Sequence, residues 1–99
     1  MFFIKALATQ LIDRSFYPEI VLCEMLDING CKHQFIEKWP VISTEKFENI
    51  FPQACEIGCV IQEERSTSYI VCTEQPWDIE STEGKTIFEI AKNLLIEKN

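Results

Sequence analysis

Ile20-Val-Leu-Cys-Glu-Met-Leu-Asp-Ile-Asn-Gly-Cys-Lys-His-Gln-Phe-Ile-Glu-Lys-Trp39 is the stretch whose reading decides the fold. Two apolar-rich runs, Ile20 to Ile28 and Cys31 to Trp39, flank Asn29-Gly30, the strongest short-range signal for a β-hairpin. Asn and Gly tolerate the positive φ of a type I′ turn, so a two-residue loop is expected, with opposed positions summing to 59 and Asp27 facing Lys32. In that register Ile20, Leu22, Glu24 and Leu26 share a face with His33, Phe35, Glu37 and Trp39. The other face carries Val21, Cys23, Met25 and Ile36 beside Lys32, Gln34 and Lys38. Both faces of the first strand are largely apolar, which predicts a central strand in a sheet that curls toward a barrel.

Working outward, Phe2 to Ile12 is aliphatic and reads as a strand. Trp39-Pro40 ends the hairpin, because proline lacks the amide donor a strand interior needs. Ser43 and Thr44 are placed to cap a short helix through Lys46 to Phe51, stopped by Pro52. Glu56 to Glu63 and Tyr69 to Thr73 read as strands four and five, joined by the polar run Glu64 to Ser68, with Gly58 marking a bulge or bend. The tail supports two readings. Ile87, Ile90, Ala91, Leu94 and Leu95 match the apolar stripe of a helix, whereas Trp77 to Ser81 and Lys85 to Ile90 would form a hairpin around Glu83-Gly84. With no repeat, low-complexity run or linker, residues 1–99 are read as a single domain.

The chain has nine Lys and Arg against sixteen Asp and Glu, a net charge of −7. Such a chain is repelled by phosphate backbones and anionic lipid, so nucleic acid and membrane surfaces are not the expected partners; a basic protein is. No run approaches the roughly 18 apolar residues of a membrane span, and Met1 to Ile12 lacks the form of a signal peptide. The expected location is cytoplasmic. Five cysteines, at 23, 31, 55, 59 and 72, form an odd set without short-spaced pairs. They read as reduced thiols, mostly in the core.

Catalytic signatures are sparse. Glu24, His33 and Glu37 share a face in the expected register and would suit acid/base work or ligand binding, but no nucleophile or metal motif accompanies them. Cys31-x-His33 with Cys55-x₃-Cys59 offers zinc-type ligands at spacings unlike the C-x₂-C knuckle, so no metal and no cofactor are expected. Three dispersed glycines make no phosphate-binding loop.

Charge distribution is the more informative feature. Residues 1–50 carry five basic and seven acidic side chains, residues 51–99 four and nine. Glu63, Glu64, Glu74, Asp78 and Glu80, with Trp77 among them, are the candidate partner-binding residues: carboxylates to steer a basic cleft and an aromatic ring to anchor it. The plainer alternative is a solvated acidic face that maintains solubility.

Two segments, Phe35-Ile-Glu-Lys-Trp-Pro-Val-Ile-Ser43 and Pro76-Trp-Asp-Ile-Glu-Ser-Thr-Glu-Gly-Lys-Thr-Ile-Phe-Glu-Ile90, resemble a group of short, largely uncharacterised bacterial proteins. The overall format is also similar to the small acidic immunity proteins of contact-dependent and polymorphic toxin systems. The first resemblance implies a strand at Lys85 to Ile90 followed by a short helix. The second implies a non-enzymatic toxin inhibitor.

Together these readings predict a mainly β domain: a curled antiparallel sheet or partly open barrel of five to six strands with one or two short helices. The expected function is protein binding, most concretely as an immunity protein. A small ligand-binding or enzymatic barrel using Glu24, His33 and Glu37, and an adaptor that self-associates through an edge strand, are the alternatives.

Overall fold

The computed structural model describes residues 1–99. Its strands are β1 (Phe2–Asp13), β2 (Ile20–Leu26), β3 (Lys32–Lys38), β4 (Gln53–Glu64), β5 (Ser68–Cys72), β6 (Ile87–Ala91) and β7 (Leu95–Glu97), with one turn of helix, α1 (Trp39–Ile42), between β3 and β4. All pairings are antiparallel, in the order β3-β2-β1-β4-β5-β6, and β7 adds to the N-terminal end of β1. The result is an open, curled half-barrel. No helix is long and apolar enough to cross a membrane.

Alternation along the strands builds the core. Ile4, Ala6 and Ala8 of β1 face the same side as Val21, Cys23 and Met25 of β2 and Cys55, Ile57 and Cys59 of β4, and all are buried. Small side chains on the central strand leave room for neighbours to meet above it: Cys23 and Cys55, on the strands flanking β1, interact there. That contact and burial push the Cys23 thiol far up, and burial pushes Cys59 up to about 12. All five thiols are free and only Cys31 is exposed.

Curling brings the outer strands β3 and β6 together. Phe88 meets His33 and Phe35 edge-on, with ring centroids 4.9 and 5.7 Å apart. The Ile28 amide donates to the Glu89 carbonyl at 2.8 Å, so the β2–β3 turn docks on β6. Beyond β5, residues 73–86 cross to β3, where the Thr82 amide donates to the Gln34 carbonyl at 2.8 Å.

Several expectations are corrected. The β2–β3 hairpin pairs Leu26 with Lys32 and Ile20 with Lys38, one residue out of the expected register. Its loop is three residues, Ile28–Gly30, between Asp27 and Cys31. The Gly30 amide donates to the Asp27 carbonyl at 3.0 Å, Gly30 has φ 77°, and the Asp27 amide donates to the Cys31 carbonyl at 2.9 Å. Asp27 Oδ1 also accepts from the Asn29 and Cys31 amides at 2.9 and 3.0 Å. An aspartate opening a type I turn and a glycine closing it in the left-handed region outcompete the type I′ turn that Asn-Gly alone suggests. Asp27 therefore stands opposite Cys31 at the mouth of the loop and does not face Lys32. β2 is an interior strand, as expected.

The helix expected over Lys46 to Phe51 does not form. α1 forms earlier because Pro40 fits its first turn, where its missing amide is not needed. Phe47 then packs on Trp39 with centroids 5.6 Å apart, and Trp39 Nε1 donates to the Glu45 carbonyl at 2.7 Å. Tertiary contacts of these rings override the helical spacing. At the C-terminus, β6 covers most of the expected 85–90 strand, but the helix after it is a single 3-10 turn, Lys92–Leu94, before β7 pairs with β1. Trp77 to Ser81 is loop rather than strand. Gly58 is no bulge, since the β1–β4 pairing runs regularly through it; the irregularity falls between Ile61 and Glu63.

Candidate functional site

The loop 73–86 positions most of the expected partner-binding residues, and buried polar contacts hold its base. Thr73, Ile79 and Ser81 are buried. The Thr73 amide donates to the Thr86 carbonyl at 2.8 Å, the Thr73 hydroxyl donates to the Ile79 carbonyl at 2.5 Å, and the Ile79 amide donates back to the Thr73 carbonyl at 3.0 Å. Ser81 Oγ accepts from the Glu83 and Lys85 amides. Between these anchors the Asp78 amide donates to the Glu74 carbonyl at 2.9 Å, closing a turn. Asp78 sits at φ 54°, a left-handed conformation that aspartate tolerates better than most residues.

Trp77 is 49% exposed, yet its indole is seated. It packs against Gly58, where a Cβ would stand 2.6 Å from Trp77 Nε1. This close approach is the reason for glycine at 58. Glu74, Asp78 and Glu80 around it are exposed, and none has a basic side chain within ion-pair distance. Asp78 also faces Glu37 of β3, whose carboxyl is raised above the usual carboxylate range, first by burial and then by the Asp78 charge.

Glu63 and Glu64 do not join this cluster. They lie at the other end of β5, a strand of five residues spanning about 15 Å, and both are engaged. Glu63 pairs with Arg65, which also reaches Glu89 at 3.2 Å, and Glu64 accepts from Lys92 at 2.7 Å. Their charge is locally offset, whereas that of Glu74, Asp78 and Glu80 is not.

The Glu24, His33 and Glu37 constellation is dispersed by the one-residue change of register. Glu24 pairs with Gln34 across the hairpin, accepts its amide at 2.9 Å and lies 3.8 Å from Lys32. His33 and Glu37 point to the opposite, core-facing side. His33 Nε2 instead bonds Asp27 Oδ2 at 2.8 Å, which holds the Asp27 carboxyl below its usual range. The sequence reading missed this pair; a three-residue loop would have placed the Asp27 carboxylate within reach of it. Cys31, His33, Cys55 and Cys59 are not gathered into a group of metal-binding type.

A second feature is a groove of about 840 Å³ running over β1 at Lys5, Ala6 and Leu7. Lys5 and Leu7 of β1 and Ala54 and Glu56 of β4 line it, with Leu26 and Ile96 at its sides. The Glu56–Lys98 ion pair lines both it and a smaller groove that reaches Phe3, α1 and Trp77.

Fold and site together define a mainly β half-barrel that presents an anchored aromatic-acidic loop. No protein-family model, curated protein or solved structure matches the chain.

Proposed function

We propose that this chain is a non-enzymatic protein-binding domain, acting in the cytoplasm as an immunity protein that neutralises a cognate bacterial toxin by inserting its acidic loop into a basic cleft. The observation that carries the reading is Trp77, half exposed on its Gly58 seat among Glu74, Asp78 and Glu80, three carboxylates without basic partners. A pre-positioned aromatic ring anchors an interface at low entropic cost, and unpaired charges steer the encounter. The acidic format, similar to that of small immunity proteins, supports the immunity role. Glu63 and Glu64, already paired, are assigned a lesser part.

The test begins with affinity capture from a lysate of the source organism, followed by binding measurements on the purified partner. Reversing Glu74, Asp78 and Glu80 to lysine is expected to slow association at least about tenfold and to flatten its salt dependence. Reversing Glu63 and Glu64 is expected to change it far less. Co-expression should relieve toxicity of the partner. A partner that is neither basic nor toxic, or one whose affinity ignores the loop charges, would remove the reading.

A further inference from the structure

The β1–β2 hairpin ends in Arg14–Glu19, where Phe16 and Tyr17 are 84% and 85% exposed, the most exposed large apolar side chains of the chain. The hairpin's stem is also incomplete. β4 pairs with β1 only from Phe2 to Ala8, β2 occupies the opposite edge, and no loop backbone bond reaches Thr9 to Asp13. Five residues of β1 therefore present an unpaired edge, a template for another strand. The groove over Lys5 and Leu7 lies further back on the same strand, with Leu7 and Leu26 each 49% exposed.

These three features are related by register. If the free edge of β1 pairs antiparallel with itself about Leu11, opposed positions sum to 22. Phe16 then comes level with Ala6 of the second copy and Tyr17 level with its Lys5, both lining residues of the groove. Bulges at 8–10 and 11–13 increase the ribbon's twist, which lets the tip leave the plane of the sheet and pass over the start of β4. We infer that the chain forms a symmetric homodimer in which the free edges of β1 pair and each Phe16-Tyr17 tip inserts into the Lys5–Leu7 groove of the other copy.

Area and charge agree with this occupant. Phe and Tyr bury about 150–250 Å² each, so four rings with the groove walls they cover pass the roughly 1,200 Å² of a stable interface. Although the chain is strongly acidic, residues 2–19 hold Lys5 and Arg14 against Asp13 and Glu19 and are neutral. The groove is balanced too, with Lys5, Lys32 and Lys98 against Glu24, Glu45 and Glu56. Lysines at its rim suit aromatic rings. A twofold axis satisfies both tips at once, because each tip and groove are the same distance apart in both copies.

Sedimentation of the purified chain from about 1 µM to about 1 mM tests the inference. The expected result is a reversible dimer whose Kd rises at least about 30-fold on Phe16→Ser with Tyr17→Ser, and also on Leu7→Glu. The two tip residues are exposed on a loop, so that variant is expected to keep the wild-type circular dichroism, and the wild-type Tm at concentrations where both chains are monomeric. In a Cys31→Ser background, mixing Tyr17→Cys with Lys5→Cys chains should give a disulfide-linked heterodimer. A chain monomeric throughout overturns the proposal. So does a dimer that survives the tip variant, which would place the interface elsewhere, or a tip that is captured only by another protein or by vesicles. None of these outcomes depends on the acidic loop, so the two readings stand or fall separately.

Discussion

Trp77 occupies the space that a side chain at Gly58 would fill, so one residue in the loop after β5 and one in the middle of β4 are matched in shape. Replacing Gly58 with Ala drives a methyl group against the indole. The expected cost is about 1–3 kcal/mol in urea unfolding, with weaker partner binding as the loop shifts. The same change in a Trp77→Ala background is expected to cost clearly less, so the double-mutant cycle reads the contact directly.

Phe88 is the main apolar contact between the outer strands, touching His33 and Phe35 edge-on. Phe88→Ala leaves a cavity where β3 and β6 meet, and is expected to cost about 3–5 kcal/mol. Hydrogen exchange should show the loss concentrated in the β2–β3 turn, which bonds β6 through Ile28, rather than in the β1–β4 pair.

Asp27 links turn and strand by accepting from two turn amides and bonding His33, and the His33 bond is the main reason its carboxyl is depressed. A depressed folded-state pKa contributes stability above the unfolded carboxylate value, about 3.9, and that contribution is lost as pH falls through the folded value. The Tm gap between wild type and Asp27→Asn is therefore expected to be full near pH 6 and to close below about pH 4. A gap independent of pH would mean that the charge on Asp27 contributes nothing to it, since Asn can still accept from the turn amides.

Glu37 behaves in the opposite sense. Burial and the facing Asp78 raise its carboxyl, so the folded chain binds its proton more tightly than the unfolded chain does. Stability from this group falls as pH rises from the ordinary carboxylate range, about 4.3, through the raised value. Glu37→Gln is expected to raise Tm above that window and to have little effect below it, and Asp78→Asn should bring the Glu37 titration down in a carbon-13 NMR experiment. An unmoved Glu37 titration in Asp78→Asn would separate the two groups.

Much of the architecture was legible in the amino-acid order because strands and turns announce themselves locally. Alternating apolar residues, Pro40 after Trp39, and the Asn29-Gly30 turn determine a small antiparallel β domain with β2 in its interior. The candidate loop residues were legible too, since charge and aromatic content need no coordinates. Which partners each side chain meets was decided only by tertiary structure. Asp27 accepting two amides and Gly30 adopting positive φ lengthened one turn by a residue, and with side chains alternating every residue that step sent Glu24 to one face and His33 to the other. Phe47 packing on Trp39 cancelled a helix that its spacing allowed. The curl of the sheet brought Asp78 within reach of Glu37's charge and Trp77 onto Gly58, residues 41 and 19 positions apart, which no local pattern encodes because it depends on how far the whole sheet bends.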